Sequence, residues 1–218
     1  MVSLSHEQAR RVYDRIGSFQ DSQAFYEDKA VELLLRNGRF EEAESVFEFG
    51  CGTGRFALNL FENYLDDKAK YCGHDVSPEM VRLANEKLAS YSNRATVMLT
   101  VGGAPGAEPG EAYDRFVSNY VFDLLSDEDI KAVLVEAHRI LRPEGILCLS
   151  GLSTGASLPT SLISGSLGLI QSLVPSLVGG CRPIDLMPYV ENPQWKIEFH
   201  EKVSAFGVTS ECVIARRV

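Results

Sequence analysis

Cysteine is sparse in this sequence, and its few positions form no recognisable pattern. The chain of 218 residues has five cysteines, with no Cys-x-x-Cys pair and no cysteine–histidine spacing typical of a structural zinc site. An odd number of scattered cysteines does not build a disulfide framework. We therefore expect reduced thiols, no metal ligands and a cytoplasmic protein.

Positive charge is also in short supply. Lysine and arginine together number 21 against 30 acidic residues, which gives a formal net charge of -9 at pH 7. Phosphate binding depends mostly on cations, and no lysine or arginine stripe is visible, so the sequence argues against nucleic acid as a partner. Residues 1–15 turn charged early and lack the apolar core of a signal peptide, so we expect no export signal.

Charge is absent altogether from Gly145 to Cys181. Within that stretch, residues 158–178 (LPTSLISGSLGLIQSLVPSLV) are long enough to raise the question of a membrane span. Their serines, glycines and prolines dilute the hydropathy below that of a typical spanning helix. We favour a buried strand followed by a lid over an apolar pocket; peripheral membrane contact and a span are the less favoured alternatives.

Strand and helix patterns alternate along the chain, which indicates a parallel sheet covered by helices on both faces. The sequence predicts strands at 45–49, 70–74, 95–101, 114–119 and 145–151, and helices at 22–36, 54–64, 78–89 and 127–141. Residues 194–205 and 208–216 have the pattern of two further strands. Only two residues join them, which leaves no space for a crossover helix and predicts antiparallel pairing.

Three glycines stand at alternate positions where the first strand gives way to a helix: Gly50, Gly52 and Gly54 in VFEFGCGTGR. In an open α/β sheet, ligands bind beyond the carboxyl ends of the strands, and a glycine-rich turn there lets a cofactor approach the backbone amides. A nicotinamide or flavin dinucleotide is the obvious rival, with Asp75 as its ribose partner. The dinucleotide fingerprint, however, requires its third glycine at the position of Arg55.

The pattern ExGxGxG, with Glu48 at the end of the strand, resembles motif I of the class I S-adenosylmethionine-dependent methyltransferases. The resemblance continues through GHDVSPEM (73–80), YDRFVSNYVFDLL (113–125) and HRILRPEGILCLSG (138–151), and it covers about residues 44–151. These segments look most like the small-molecule branch that includes quinone-biosynthesis methyltransferases. The resemblance implies a three-layer, Rossmann-like, doubly wound α/β sheet of seven strands, mostly parallel with an antiparallel C-terminal strand.

A single methyltransferase domain over residues 1–218 is expected, because no linker or repeat is apparent. The resemblance divides it into an N-terminal helical lid (1–40), a cofactor-binding core (44–151), a lid insertion (152–190) and a terminal strand pair (194–217).

The resemblance also assigns residues to S-adenosyl-L-methionine, position by position. Gly50, Gly52 and Gly54 form the turn under the cofactor, with Cys51 as the small residue between the first two. Asp75 binds both ribose hydroxyls, which suits a carboxylate because it accepts two hydrogen bonds at once. The other implied contacts are Glu48 near the methionyl ammonium, Val76 and Met80 near the adenine, Asn119 beside the methionine part, and Tyr13 in the N-terminal lid.

One segment departs from the family pattern. After the third strand, related sequences often have Gly-Asp-Ala, whose aspartate receives the adenine amino group, whereas this chain has Gly102, Gly103 and Ala104. Two interpretations remain open. Either backbone groups of Gly103 and Ala104 replace the carboxylate, or the adenine is held more loosely.

The function implied by the resemblance is methyl transfer to a small, largely apolar acceptor at an oxygen, nitrogen, sulfur or carbon atom. Tyr26 and Tyr120 are expected to face that acceptor. None of the four histidines stands in a pattern that marks a base, so no catalytic residue is predicted. Two alternatives stay open: a module that binds S-adenosylmethionine or its demethylated product without catalysis and, less favoured, an oxidoreductase that uses a nicotinamide cofactor.

Overall fold

The computed structural model describes residues 11, 14, 24–154, 182–205 and 208–218, and for residues 24–28 it describes the backbone alone. Tyr13, the apolar stretch 158–178 and most of the predicted lid insertion lie outside the described residues. In the described part, no helix combines the length and the hydropathy that crossing a bilayer would require.

Strands and helices alternate as the sequence predicts. The strands are β1 (Ser45–Phe49), β2 (Lys70–Asp75), β3 (Ala95–Leu99), β4 (Tyr113–Asn119), β5 (Leu141–Leu152), β6 (Trp195–Ala205) and β7 (Val208–Arg217). The α-helices are α1 (Ala24–Asn37), α2 (Arg55–Asn63), α3 (Pro78–Lys87), α4 (Asp127–Ile140) and α5 (Met187–Val190). Short 3-10 turns lie at Phe40–Glu42, Ala89–Tyr91 and Phe122–Leu124.

One seven-stranded sheet has the order β3-β2-β1-β4-β5-β7-β6. The pairs from β3 to β5 are parallel, and β7 runs antiparallel to both β5 and β6. This confirms the predicted fold class. The strand order reverses direction between β1 and β4, and ligands of open α/β sheets bind at such a switch point, outside the carboxyl ends of the strands.

Each face of the sheet carries its own hydrophobic core, because successive residues of a strand point to opposite faces. Val46 of β1 belongs to the core that includes Leu34 of α1 and Leu60 of α2. The next residue, Phe47, belongs to the core that includes Ile130 of α4. The helices that pack on the Val46 face therefore form the wall above the carboxyl end of β1.

Two helices begin at the caps that the sequence predicts. The Ser77 hydroxyl accepts a hydrogen bond from the backbone N–H of Met80 at 3.2 Å, and Pro78 occupies the first turn of α3. Ser126 caps α4 in the same way through the backbone N–H of Asp129. The cap at Ser77 fixes the start of α3 at Pro78, shortly after β2 ends at Asp75.

The fifth strand begins at Leu141 rather than at the predicted Gly145. Leu141 already pairs with Tyr113 of β4, and the register then shifts before the next pair, Arg115 with Ile146. Such an irregularity depends on the partner strand, so the apolar pattern of β5 alone does not show it.

Candidate functional site

The turn between β1 and α2 is built from glycines in the left-handed region of the backbone. Gly50, Gly52 and Gly54 have φ angles of 79°, 52° and 75°. A residue with a side chain rarely adopts this conformation, because its Cβ would approach the carbonyl oxygen too closely. The alternating glycines of the sequence are therefore required by the backbone of the turn itself.

Two of these glycines also make room for neighbouring segments. A Cβ on Gly50 would lie 2.3 Å from Cγ2 of Val121, at the start of the loop after β4. A Cβ on Gly54 would lie 3.1 Å from the backbone of Ala84 in α3. Gly50 thus brings the β1 and β4 loops together, and Gly54 brings α2 against α3.

The amides of the turn are held by the end of β2. The backbone N–H groups of Gly50 and Cys51 both donate to the carbonyl oxygen of His74, at 2.8 and 3.0 Å. The N–H of Gly52 donates to Oδ2 of Asp75 at 2.9 Å. The N–H groups of Gly50, Cys51 and Gly52 are therefore bonded within the protein, whereas the glycine-rich turn suggested amides open to a cofactor.

Asp75 joins the turn to the start of α3. Its Oδ2 accepts from Gly52, and its Oδ1 accepts from the backbone N–H of Ser77 at 2.9 Å. Burial raises the pKa of Asp75 above its ordinary value, and the hydrogen bonds from backbone amides oppose that shift. A carboxylate has about four acceptor positions, so the backbone amides do not use all of them, and acceptor capacity remains for donors such as the hydroxyls of a ribose.

Glu48 lies beneath the same turn and is almost completely buried, with 2% of its surface exposed. The Tyr71 hydroxyl donates to its Oε2 at 2.5 Å, and Asn119 Nδ2 lies 3.5 Å from its Oε1. Burial raises the pKa of Glu48 to about 8, against the opposing hydrogen bonds from Tyr71 and Asn119. At neutral pH, burial therefore favours the protonated form of this carboxyl group.

A cavity of about 370 Å³ opens beside the turn. Its walls come from the glycine turn, from α1 and α2, and from the end of β4. The lining residues are Val31, Glu48, Gly50, Cys51, Gly52, Thr53, Arg55, Phe56, Leu58, Asn59, Glu62, Asn119 and Tyr120. Six residues singled out from the sequence thus share one cavity: Glu48, Gly50, Cys51, Gly52, Asn119 and Tyr120.

The end of β4 presents two polar side chains to this cavity. Asn119 accepts a hydrogen bond at Oδ1 from the Ser150 hydroxyl at 2.7 Å, which orients its amide group towards Glu48. Tyr120 has a φ of 54°, which is uncommon for a bulky residue, and its hydroxyl donates to Ser210 Oγ at 2.9 Å. Strained backbone of this kind concentrates at functional sites.

The other residues predicted for the site are not among those that line this cavity, and these include Asp75 and Gly54. Val76 is half-buried between Asp75 and α3, and Met80 is fully buried in the first turn of α3. Gly103 has a φ of 84°, and a Cβ on it would meet nothing within 4 Å. Ala104 packs against the core on the Phe47 face. Tyr13 lies outside the described residues, as does the side chain of Tyr26.

Cys51 is buried and its thiol has no reactive character. Burial raises the pKa of Cys51 well above its ordinary value, and the neighbouring carboxyl groups of Asp75 and Glu48 act in the same direction. The thiol therefore stays protonated. Cys51 serves as a small residue within the turn.

A second polar cluster lies on the opposite face of β2. Ligand atoms of Cys72, His74 and Glu108 are within 4.8 Å of one another, a grouping that the sequence analysis overlooked although alternate strand residues share a face. His74 Nε2 lies 3.0 Å from Glu108 Oε1, and the Tyr113 hydroxyl donates to Glu108 Oε2 at 2.5 Å. The pKa of His74 lies below its ordinary value, because burial lowers it more than the neighbouring Glu108 raises it. These contacts tie the loop after β3, which carries Gly103, to β2.

Several residues of the site were not found from the sequence. The wall of the cavity includes Val31 of α1 together with Phe56 and Asn59 of α2, whose positions depend on how these helices pack. Tyr71 was missed as well. The strand period could have revealed it, because Tyr71 precedes Gly73 by two residues and Gly73 pairs with Glu48.

The raised pKa of Glu48 predicts how stability depends on pH. The folded protein binds the Glu48 proton more tightly than the unfolded chain, so this contribution to stability is complete below the ordinary pKa of 4.5 and is lost as the pH rises through about 8. Glu48→Gln has no proton to lose. Relative to this variant, wild-type protein without cofactor is expected to lose on the order of 3 kcal/mol of unfolding free energy between pH 5.5 and pH 9.

Urea denaturation at several pH values measures this difference. Glu128→Gln is the matched control, because Glu128 is exposed at the start of α4. The control is expected to follow the wild-type pH dependence. Parallel curves for wild type and Glu48→Gln would show that Glu48 is ionised in the folded protein at neutral pH.

A comparison with protein families agrees with the sequence motifs. Residues 47–147 match a family described as a methyltransferase domain. The matched span runs from β1 into β5, so it contains the glycine turn, Asp75 and Asn119. This part of the chain is therefore similar to methyltransferase domains, as its resemblance to the class I S-adenosylmethionine-dependent methyltransferases predicts. The cofactor that this resemblance implies is S-adenosylmethionine.

Curated proteins similar to this chain are named as methyltransferases or polyketide synthases. Malonyl-[acyl-carrier protein] O-methyltransferase of Hahella chejuensis is 28% identical over 153 residues, which are 70% of this chain and 50% of the relative. Malonyl-[acyl-carrier protein] O-methyltransferase 1 of Ilyobacter polytropus is 27% identical over 127 residues, 58% of this chain and 43% of the relative. A non-reducing polyketide synthase of Aspergillus calidoustus is 31% identical over 141 residues, 63% of this chain and 6% of the synthase. The chain thus spans half or less of the length of these relatives.

Solved structures share the fold of this chain. The [4+2]-cyclase SpnF matches with a TM-score of 0.74 at 16% identity, covering 100% of this chain and 97% of the cyclase. A geranyl diphosphate methyltransferase in complex with S-adenosylmethionine matches with a TM-score of 0.64 at 13% identity, covering 88% and 85%. A methyltransferase from Methanosarcina mazei matches with a TM-score of 0.65 at 15% identity, covering 85% and 97%. At such identities, the likeness shows the fold alone.

The residues of the site fit this cofactor chemically. S-adenosylmethionine carries a ribose diol, which suits a hydrogen-bond acceptor, and an ammonium group at its methionine end, which suits an anion. Asp75 and Glu48 are carboxyl groups held on either side of the same turn, one at the end of β2 and one in β1. A side chain on Gly50 would fill the space between the turn and the β4 loop.

Proposed function

We propose that this protein transfers the methyl group of S-adenosylmethionine to a small acceptor with a largely apolar body. One observation carries the proposal: Glu48 and Asp75 flank the same glycine turn, and the cavity beside the turn continues to Asn119 and Tyr120 at the end of β4. A cofactor held by the two carboxylates has its reactive centre between the turn and the β4 residues.

The individual roles follow from the contacts. Asp75 accepts hydrogen bonds from the ribose hydroxyls with the acceptor positions that Gly52 and Ser77 leave open. Glu48 faces the methionyl ammonium group. Asn119, whose amide is oriented by Ser150, binds the methionine part and borders the acceptor space. Gly103 and Ala104 receive the adenine with backbone groups, in place of the carboxylate that related sequences often have.

The chemistry requires positioning more than acid–base help. S-adenosylmethionine supplies a methyl group already activated by the positive charge on its sulfur, and the transfer is an in-line displacement. Holding the two reactants in line can contribute about 7 to 11 kcal/mol to lowering the barrier. A base is needed only if the acceptor is a neutral hydroxyl, thiol or carbon acid. We assign no catalytic base among the described residues.

The cavity and the relatives support the acceptor class. Val31, Phe56 and Leu58 give the wall between α1 and α2 an apolar character, and Asn59 adds a polar group. Two of the curated relatives are named as O-methyltransferases of malonyl-[acyl-carrier protein], another is named as a polyketide synthase, and the names of two structural neighbours include geranyl diphosphate. A small acceptor with an apolar chain agrees with both observations.

Methyl transfer is tested with S-adenosylmethionine labelled on its methyl group. The protein is incubated with this cofactor and fractionated small-molecule and acyl-thioester extracts, and the label is followed into each product fraction. We expect label in an apolar product, with at least a 100-fold lower rate for Asp75→Ala because the ribose anchor is lost.

Three outcomes separate this proposal from its alternatives. Cofactor binding without label transfer to any fraction would favour a binding module or, as the name of the cyclase neighbour illustrates, another use of the same fold. Binding of NADH in preference to S-adenosylmethionine would favour the oxidoreductase. Transfer that is equally fast in Asp75→Ala would contradict the site assignment.

A further inference from the structure

Tyr71 places a hydroxyl group directly beneath the glycine turn. The residue lies in β2 with 3% of its surface exposed, and its hydroxyl donates to Glu48 Oε2 at 2.5 Å. A Cβ on Gly73 would come within 2.6 Å of the Tyr71 hydroxyl oxygen and 2.9 Å of Cys51 Cβ. The hydroxyl therefore occupies the space that Gly73 leaves open between the turn and Glu48.

The surroundings of Glu48 contain neutral donors and negative neighbours. The contacts of its two oxygens are with the Tyr71 hydroxyl and the Asn119 amide, neither of which carries a charge. The titratable and polar groups that face it are Tyr71 and Asp75 of β2, Cys51 of the turn and Asn119 of β4, and Arg55 and Glu62 of α2 line the same cavity. A fully buried carboxylate that has no cation beside it is unfavourable. A positively charged group of a ligand would therefore stabilise the ionised form of Glu48.

We propose that Tyr71 is a positioning residue, whose hydroxyl holds one oxygen of Glu48 so that the other faces the ammonium group of the cofactor. This inference rests on the proposed function, in which Glu48 meets the methionyl end of S-adenosylmethionine. Tyr71 touches neither the cofactor nor the acceptor; it acts through Glu48. Asn119, held in turn by Ser150, limits the position of the second oxygen.

Proton release accompanies cofactor binding in this arrangement. Burial raises the pKa of Glu48 to about 8, so near pH 7 the group carries a proton before the ammonium arrives. The ion pair forms when the carboxyl O–H bond breaks, its electron pair stays on Glu48 and the proton passes to the buffer. The Tyr71 hydrogen bond lowers the pKa of Glu48, so its loss moves this ionisation to higher pH.

Titration calorimetry with S-adenosylmethionine tests the proposal. Binding heats at pH 7.0 in phosphate and in Tris, whose ionisation enthalpies differ, count the protons released per bound cofactor. For wild type we expect a release close to one proton, and for Glu48→Gln none. For Tyr71→Phe we expect roughly tenfold weaker binding at pH 7.0 and an affinity that recovers only at higher pH than in wild type.

The control variant is Tyr91→Phe. Tyr91 stacks on Phe61 with ring centroids 4.5 Å apart, and Phe61 also contacts the Tyr71 ring at 6.0 Å. Both substitutions therefore remove a hydroxyl from the same aromatic group, but only Tyr71 contacts Glu48. Tyr91→Phe is expected to match wild type in affinity, proton count and pH profile.

The outcomes distinguish this inference from the proposed function. A merely structural role for Tyr71 would lower the melting temperature of Tyr71→Phe without moving its pH profile, and that result would overturn the inference. Absence of proton release from wild type, with cofactor bound, would overturn it independently of whether Tyr71→Phe folds. Absence of any binding by wild type would instead reject the proposed function and the inference with it.

Discussion

Asp75→Asn is expected to weaken binding of S-adenosylmethionine by about 100-fold, because two hydrogen bonds to a charged acceptor are weakened together. The substitution also disturbs the protein itself. Both carboxylate oxygens accept backbone N–H groups, from Gly52 and from Ser77, whereas an asparagine amide turns its NH₂ group towards one of those donors. The turn and the start of α3 are thus loosened at the same time as the ribose anchor is lost.

Equilibrium titration of cofactor and of its demethylated product measures the effect of Asp75→Asn. Asp67→Asn is a matched control, because Asp67 is a fully exposed aspartate outside the site. We expect wild-type affinity for the control and a similar loss for both ligands in Asp75→Asn, since both carry the same ribose. An affinity of Asp75→Asn within twofold of wild type would remove Asp75 from the cofactor site.

Gly50→Ala is expected to lower the free energy of unfolding by about 3 kcal/mol and to abolish cofactor binding. Part of this effect comes from the backbone, which has a φ of 79° at this position. The rest comes from a steric clash, because the new Cβ would lie 2.3 Å from Val121 Cγ2. In a chain of this size, a loss of that magnitude lowers the melting temperature by roughly 6 to 12 °C.

Two further variants separate the contributions at Gly50. Gly103→Ala is destabilised by backbone strain alone, because Gly103 has a φ of 84° and a Cβ there would meet nothing within 4 Å. We expect it to lower the free energy of unfolding by about 1 kcal/mol. Adding Val121→Ala to Gly50→Ala removes the clash and is expected to recover part of the stability. Equal destabilisation by Gly50→Ala and Gly103→Ala would mean that the contact with Val121 relaxes without loss.

The regular elements were predictable because each has a local signal. The apolar run before the glycines marks β1, and the Ser77-Pro78 pair marks the start of α3. The strand ends that differ from the predicted bounds are those whose position depends on a neighbouring strand. β3 stops at Leu99 on the edge of the sheet, short of the predicted residue 101, and β5 extends back to Leu141 because that residue finds a partner in β4.

The residues of the site that lie within the sequence motifs could be predicted, whereas those placed by helix packing or strand register could not. Glu48, Gly50 and Asn119 lie at strand ends whose positions follow from the α/β alternation, so they meet in one cavity. The apolar wall from Val31 and Phe56 depends on the packing of α1 and α2, which no short motif encodes. Tyr71 required the β1–β2 register, in which Glu48 pairs with Gly73. The assigned binding roles themselves stay predictions.

The two carboxyl groups beside the glycine turn have a consequence for turnover. In the proposed arrangement Asp75 binds the ribose and Glu48 the ammonium group, and neither contacts the sulfur, which is the atom that changes during transfer. The ribose and the ammonium group are unaltered in the demethylated product, so Asp75 and Glu48 bind the product in the same way as the cofactor. The enzyme is therefore expected to suffer product inhibition, and sustained methylation requires a downstream reaction that consumes the product.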